Sequence, residues 1–222
     1  PNCVVAESKV MYVSSANQHA EYPYDTWERA ASNLPEVVAH AFDGTVIHVA
    51  DGRYLMTGPI TLDKAVRIVG TNANPRAAVV EMKGNEWDKR AFVMNHADAF
   101  VANLMVYKGY TQQDPKAGGI HFKTFGGTVS NCVVSSCGAY GYYPMAAGVY
   151  LENGLLTHSV IENCQYNSGG GGEAMRSAGA KADGTGRIEN CLFKDFDAAG
   201  HEGSFILSVG GANAVIRNCT VV

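Results

Sequence analysis

The 222-residue sequence has few charged residues and no long hydrophobic run. Charged residues make up 17% of the chain, the net charge is -4, and Lys and Arg are scattered rather than clustered. Without a basic run or stripe, the sequence does not predict a nucleic-acid partner. No apolar stretch approaches the roughly 20 residues that a transmembrane helix needs. We therefore expect no membrane span.

Helix-length apolar patterns are also missing from most of the chain, and a short repeat takes their place. The dipeptide Asn-Cys stands at Asn2-Cys3 and then recurs four times in a repeating phrase, with a fainter copy of that phrase at Asn103-Leu104. The copies are Asn131-Cys132, Asn163-Cys164, Asn190-Cys191 and Asn218-Cys219. The intervals, counted from Asn103, are 28, 32, 27 and 28 residues. A nearly fixed period in this range is typical of stacked structural units.

Apolar and polar residues alternate on both sides of each repeated Asn, which predicts two short strands joined at a bend. A unit of short strands without a crossover helix buries its apolar face only by coiling and stacking on its neighbours. The sequence therefore predicts an all-β fold, a parallel β-helix or solenoid. The continuous repeat favours one domain over residues 1–222, with an N-terminal strand and helical cap in 1–44 and rungs in 45–222.

The repeated Asn suits the sharp turn between strands, because Asn tolerates left-handed backbone angles. Its amide can bond its own backbone or the Asn of the next rung. The following Cys is expected to point inward, so the four cysteines are predicted to form one buried, reduced ladder. A disulfide ladder is disfavoured because residues in register have parallel Cβ vectors. The spacing fits no CxxC zinc pattern, and whether Cys3 and Cys137 pair is not readable.

The N-terminal region has the only convincing helical pattern. Residues 9–14 read as a first strand, and residues 24–42 read as helix. Asp25 and Glu28 have the spacing of a capping box, while Asn33 followed by Pro35 offers a second start. A helix before the first full coil is expected to cover the open end of the apolar core.

The N-terminal segments resemble a known family. Tyr12-Val13, residues 24–31 and residues 44–54, taken with the Asn-Cys rungs, resemble bacterial right-handed parallel β-helix proteins of the pectate lyase-like superfamily. The resemblance covers nearly the whole chain and implies a right-handed coil in a secreted or cell-surface protein. It does not imply one activity, because the superfamily includes lyases, hydrolases, phage tailspikes and adhesins.

One strand of each rung carries the candidate site. Residues 119–123 and 148–152 alternate cleanly, so His121, Lys123, Tyr150 and Glu152 are predicted to face outward. A third strand, 172–176, adds Glu173 and Arg176, with its phase left open between Ala174 and Met175 as the inward residue. The resemblance implies that this sheet forms a saccharide groove. In it we expect His121 and Tyr150 to bind substrate, and the catalytic residues to be Lys123, Glu152, Glu173 and Arg176.

These residue types allow two reactions on a polysaccharide. Elimination from a uronate needs a base and a positive charge beside the acid group, and Lys123, Arg176 and Glu152 are of the types that could supply them. Hydrolysis needs two carboxylates, and Glu152 and Glu173 on adjacent rungs are candidates for the roughly 5 Å spacing of a retaining enzyme. Polar residues on an exposed sheet face are also expected without any catalysis. The chain lacks the Asp cluster found on this sheet in calcium-dependent relatives, so no cofactor or metal is predicted.

Asp195 and Asp197 are only a weak calcium candidate, because they follow an Asn-Cys phrase on another side of the coil. The functional hypotheses are therefore an extracellular carbohydrate-active protein, lyase or hydrolase, and a non-catalytic structural or adhesive module of a cell-surface or filament protein. The sequence stops inside a rung, at Asn218 to Val222. An open coil end exposes strand edges and apolar side chains. We expect either a fragment of a longer β-helix or self-association through this uncapped rung.

Overall fold

A computed structural model describes residues 9–84, 89–112, 117–141, 145–167, 176–196 and 204–222, with the backbone alone for Arg176 and Ser204. Within these residues the chain forms one α-helix, one short 3-10 helix (Pro75–Ala77) and 24 short strands. In chain order the α-helix and strands are β1 (Val10–Val13), α1 (Leu34–His40), β2 (Val46–Val49), β3 (Gly52–Met56), β4 (Ile60–Leu62), β5 (Arg67–Gly70), β6 (Ala78–Met82), β7 (Phe92–Met94), β8 (Phe100–Ala102), β9 (Met105–Tyr107), β10 (Tyr110–Thr111), β11 (Ile120–Phe122), β12 (Thr128–Ser130), β13 (Val133–Ser135), β14 (Gly138–Tyr140), β15 (Val149–Leu151), β16 (Leu155–Thr157), β17 (Val160–Glu162), β18 (Gln165–Asn167), β19 (Arg176–Ala182), β20 (Arg187–Glu189), β21 (Leu192–Lys194), β22 (Ser204–Val209), β23 (Val215–Arg217) and β24 (Thr220–Val221).

The strands stack into three long parallel sheets and one short one. Sheet 1 has the order β1-β2-β5-β8-β12-β16-β20-β23, and sheet 2 has β3-β6-β9-β13-β17-β21-β24. Sheet 3 has β4-β7-β11-β15-β19-β22, and sheet 4 has β10-β14-β18. A full central rung passes from sheet 3 to sheets 1, 2 and 4 and then returns to sheet 3 one step further along the coil. The chain is a right-handed parallel β-helix, as predicted.

The apolar core lies inside the coil because every strand turns alternate side chains inward. The middle residues of sheet 1 show this pattern, since they lie in register from rung to rung and are fully buried. These residues are Ile47, Ile68, Val101, Val129, Leu156 and Ile188. The residues before and after each of them face outward, which leaves the outer surfaces of the sheets for polar side chains.

The turn between sheets 1 and 2 is built as the sequence predicts. Asn103, Asn131, Asn190 and Asn218 all have positive φ, between 47° and 58°. The Asn131 side-chain amide donates to Oδ1 of Asn103 at 2.8 Å, so two successive rungs are tied at the turn. Asn is suited to this position because it adopts the left-handed conformation at lower cost than most residues.

The predicted single ladder of four cysteines is wrong, because each rung between Asn103 and Asp195 contains two left-handed turns. Strand register places His158, with φ of 48°, above Asn131, and Ser159 above Cys132. Asn163 and Cys164 belong to the second turn, between sheets 2 and 4, where Cys164 lies beside Cys137. The first ladder is therefore Leu104, Cys132, Ser159, Cys191 and Cys219.

The remaining predictions about the cysteines are partly confirmed. Cys132, Cys137, Cys164 and Cys191 are buried free thiols, while Cys219 is half-buried in the last rung. Ser159 fits into the first ladder because its hydroxyl donates to the Thr157 carbonyl at 2.8 Å and accepts the Cys132 N–H at 3.1 Å. Cys3 lies outside the described residues.

The N-terminal helix is shorter than predicted. It begins at Leu34 with Asn33 as its N-cap, and Asn33 Oδ1 accepts the Glu36 N–H at 2.9 Å. Residues 24–33 are not helical. They run beside β1, where Ala31 donates to the Tyr12 carbonyl at 2.9 Å and accepts the Ser14 N–H at 2.8 Å. Bonding to the open edge of β1 outweighs the helix propensity of this segment.

The short helix still meets the end of the core. Leu34 and Val37 are fully buried in the same hydrophobic cluster as Met11 and Ile47. The capping pair is Asn33 with Glu36, since the Asn33 amide also donates to the Glu36 carboxylate at 2.8 Å. Asp25 instead pairs with Arg29 at 3.2 Å. In the described part of the chain, no helix is both long and apolar enough for a membrane crossing.

Candidate functional site

The outward face of sheet 3 aligns one side chain from each rung. Register places His121 beside Tyr150 and Tyr150 beside Lys181. The whole column is Thr61, Val93, His121, Tyr150, Lys181 and Ser208. His121 and Tyr150 therefore face outward on adjacent rungs, as predicted.

The predicted third strand of this face is misplaced. β19 spans Arg176–Ala182, and its residues Ala180, Lys181 and Ala182 are the ones that pair with β15. Arg176 pairs with Ser204 at the start of the strand, before a register shift, and Glu173 lies outside the described residues. The Ala-Lys-Ala alternation is the sequence signal that marks residues 180–182 as the strand. The signal is weak, because alanine is found at both inward and outward positions.

His121 and Tyr150 are covered although they face outward. His121 is 1% exposed and Tyr150 is 8% exposed. A small apolar cluster of Ala117, Ala146 and Tyr150, with Met145 packed against it, lies on this outer face. The rings of His121 and Tyr150 stack, with centroids 5.4 Å apart and planes 16° apart. The two rings form a buried support below the surface.

Each ring bonds to a carboxylate. Nε2 of His121 lies 2.8 Å from Oε1 of Glu152, and the Tyr150 hydroxyl donates to Oδ2 of Asp183 at 3.0 Å. The Lys181 ammonium lies 3.4 Å from the same Asp183 oxygen. Burial raises the pKa of the Tyr150 phenol well above its usual range, and the negative charge of Asp183 raises this pKa further. Tyr150 therefore remains a hydrogen-bond donor at neutral pH.

Glu152 and Asp183 occupy equivalent positions on neighbouring rungs. The Glu152 N–H donates to the Phe122 carbonyl at 2.9 Å, and the Asp183 N–H donates to the Leu151 carbonyl at 2.7 Å. Lys123 occupies the same position one rung earlier, so the order along the coil is Lys123, Glu152, Asp183. Adjacent strands are roughly 4.8 Å apart.

These three side chains form the accessible part of the site. The Glu152 side chain is 38% exposed and the Asp183 side chain is 22% exposed, while Lys123 is half-buried. Asp183 was not among the predicted site residues. In the sequence, Asp183 directly follows Ala-Lys-Ala and precedes Gly184. Glu152 follows Val-Tyr-Leu in the same way.

The weak calcium candidate is not assembled among the described residues. Asp195 pairs with Lys194 at 2.5 Å, and Asp197 lies outside the described residues. The described ranges contain no group of three His, Cys, Asp or Glu side chains placed to hold a metal ion.

Comparison with known proteins identifies the fold. No family model matches the sequence, and no curated protein does. Among solved structures, the chain is similar to the pectin methylesterase PemA from Erwinia chrysanthemi, with a TM-score of 0.57 and 12% identity over 93% of this chain. It spans 65% of the PemA chain. It is also similar to the pectin methylesterase from Aspergillus niger, with a TM-score of 0.50 and 14% identity, over 98% of this chain and 82% of that one. At these identities the likeness shows the parallel β-helix fold and leaves the activity to the site itself.

Proposed function

We propose that this chain is an extracellular carbohydrate-active hydrolase that cleaves glycosidic bonds of a polysaccharide at Glu152 and Asp183. The observation that carries the proposal is the register of these two carboxylates on neighbouring rungs. Glycoside hydrolysis uses a pair of carboxylates on either side of the scissile bond. The similar solved structures are esterases of pectin, another polysaccharide, and they support the substrate class only through the shared fold.

The surroundings assign different roles to the two carboxylates. Asp183 accepts a hydrogen bond from Tyr150 and lies beside the Lys181 ammonium, so two contacts hold its carboxylate in position. A carboxylate held in position suits the nucleophile. Glu152 bonds to the buried His121 and is the more exposed of the two, which suits a residue that exchanges protons with the leaving oxygen and with water.

The spacing also predicts the stereochemistry. Retaining enzymes have carboxyl groups about 5 to 5.5 Å apart, whereas inverting enzymes leave about 6.5 to 9.5 Å for a water molecule. Backbones roughly 4.8 Å apart favour the shorter spacing. We expect retention of anomeric configuration. Elimination, the lyase alternative, finds less support because the aligned residues Lys123, Glu152 and Asp183 include a single cation, Lys123.

The test is a screen of uronate and neutral polysaccharides that reads new reducing ends and unsaturated products separately. We expect reducing ends without unsaturated products, and at least a 1000-fold loss of rate in Glu152→Gln and Asp183→Asn, on the scale of removing one catalytic group. Lys108→Ala is the matched control, because Lys108 pairs with Glu81 on sheet 2 and is expected to leave the rate unchanged. Full activity of both carboxamide variants would refute the assignment.

A non-catalytic module is the second candidate. It is favoured by the burial of His121, Tyr150 and Lys181, each of which contacts the carboxylate of Glu152 or Asp183. Such a module of a cell surface or filament would bind glycan or copies of itself without turnover. The last rung exposes Val215, Val221 and Val222, so self-association through it is part of this candidate. Light scattering across a concentration series tests it, and a monomer at every concentration contradicts it.

A further inference from the structure

The connections from sheet 3 to sheet 1 differ in length on three successive rungs. Strand register aligns Phe122, Leu151 and Ala182 at the ends of sheet 3 strands, and Thr128, Leu155 and Arg187 at the starts of sheet 1 strands. The connections are therefore residues 123–127, 152–154 and 183–186, which are five, three and four residues long. The middle connection is the shortest and begins at Glu152.

A short connection between two longer ones leaves a cleft. The middle turn is pressed against its neighbour, because a Cβ on Gly154 would lie 2.6 Å from the Gly127 carbonyl oxygen, and Gly154 has φ of 91°. The longer connections project on both sides of it. A cleft of about 260 Å³ lies between them, lined by residues that include Phe125, Leu155 and Thr185. Its lining includes Asn153 and Gly154, the two residues that follow Glu152 in the chain.

Phe125 forms one wall of this cleft and is open to solvent. The Gly126 N–H donates to the Lys123 carbonyl at 2.8 Å, which closes a tight turn with Thr124 and Phe125 at its tip. The Phe125 residue is 65% exposed, although an isolated phenyl ring gains by burial. An exposed aromatic ring beside a cleft is a surface on which another flat apolar face can stack.

Polar groups also line the cleft. The Asn153 amide donates to the Thr124 carbonyl at 2.9 Å, and its oxygen accepts the Thr185 hydroxyl at 2.9 Å, so Asn153 ties both walls together. Arg187 lies at the sheet 1 end, where its Nε donates to Glu189 at 2.8 Å and 47% of its side chain is exposed. An aromatic wall with hydrogen-bonding groups opposite matches a pyranose ring, which has an apolar face and a polar edge.

From this arrangement we infer that the Phe125 cleft binds one pyranose unit of the polymer, next to the unit held at Glu152 and Asp183. The inference rests on the proposed function. The polymer then crosses the connection from sheet 3 to sheet 1 and runs toward Leu155 and Arg187. Phe125 is a positioning residue for binding.

The experiment measures binding and cleavage of pectin fragments of two to six sugar units by the full chain. In the Glu152→Gln background, calorimetry gives the dissociation constant for each length. We expect Phe125→Ala to weaken binding of the longer fragments about tenfold, and Phe125→Tyr to restore it. Fragments too short to reach the cleft are expected to bind both variants equally. In the active protein, the same substitution is expected to raise KM more than it lowers kcat.

The matched control is Leu55→Ala, which removes a side chain that is 59% exposed on the first strand of sheet 2, away from the cleft. Circular dichroism and melting temperature verify that each variant is folded. Unchanged dissociation constants in Phe125→Ala, with a wild-type protein that binds and cleaves, overturn the cleft inference and leave the proposed function standing. A folded wild-type protein that neither binds nor cleaves any polysaccharide overturns the proposed function and the inference together.

Discussion

Replacement of Arg76 by Ala is expected to destabilise the coil through a long-range ion pair. Residues 71–77 connect β5 to β6, and the Arg76 guanidinium reaches Glu162, 86 residues later in sequence, at 2.8 Å from both carboxylate oxygens. Glu162 lies on β17, three strands from β6 in sheet 2, or roughly 14 Å along the coil. The contact therefore fastens several rungs together from outside.

The magnitude follows from the exposure of the two partners. The Glu162 side chain is 9% exposed and the Arg76 side chain is 44% exposed. A hydrogen bond to a charged group contributes about 1.5 to 3 kcal/mol. The exposed guanidinium is screened by water, and Lys194 still lies 3.3 Å from Glu162 in the variant. We therefore expect Arg76→Ala to lower the free energy of unfolding by about 1 to 2 kcal/mol.

The loss is expected to depend on pH. Burial raises the pKa of Glu162, but Arg76 and Lys194 together outweigh burial and hold this pKa below its usual value. A carboxyl group with a lowered folded-state pKa contributes stability above its unfolded pKa, about 4.3, and this stability is lost as pH falls through the folded pKa. The difference in free energy of unfolding between the wild type and Arg76→Ala should therefore become smaller below about pH 4.

Urea unfolding from pH 7 downward measures the effect, with Arg67→Ala as control. The Arg67 guanidinium lies 4.0 Å from the centroid of the Phe100 ring, so its loss is expected to be independent of Glu162 protonation. A double-mutant cycle with Glu162→Gln isolates the pair. A loss below about 0.3 kcal/mol at pH 7, or one that stays constant down to the acid limit of folding, would refute the argument.

Three further predictions concern the turns, thiols and site. Asn131→Ala should cost about 1 to 2 kcal/mol, since φ is 47° there, and Asn131→Gly should cost less; equal melting temperatures for the two variants would contradict this. Cys219 should react first with a thiol reagent in the native protein, because burial raises the pKa of Cys132 and Cys191 to about 12; rapid labelling of either one would contradict the register. Tyr150→Phe should lower kcat with little change in KM, because it removes the bond to Asp183; unchanged kcat would exclude this support role.

The sequence predicts the coil well because its signal is repeated. Alternating strands and inward residues recur from rung to rung, left-handed Asn turns recur on most of the later rungs, and each repetition supports the others. The predicted column of Asn-Cys residues at the turn between sheets 1 and 2 is interrupted at one rung. There His158-Ser159 replaces Asn-Cys, 27 residues after Asn131, and Asn163-Cys164 belongs to the second turn of that rung. A sequence match alone does not separate two turns of the same conformation.

The site is less predictable because its residues come from different rungs. Glu152 follows a strand with strong apolar alternation and is predicted from the sequence to face outward, whereas Asp183 follows Ala-Lys-Ala, whose small side chains give little periodic signal. The burial of Tyr150 was also beyond the sequence, since Ala117, Ala146 and Met145 on the connections between rungs pack with it. The length difference that forms the Phe125 cleft is visible only once the strands are in register.

Product analysis in water enriched in oxygen-18 tests the central claim most directly. If Glu152 and Asp183 hydrolyse glycosidic bonds, each new reducing end gains one labelled oxygen, products keep their anomeric configuration, and Asp183→Asn gives none of these products. Unsaturated ends without label would mean elimination, and label confined to carboxyl groups released from esters would mean ester hydrolysis. Either of these results, or no product from any polysaccharide, would contradict the account.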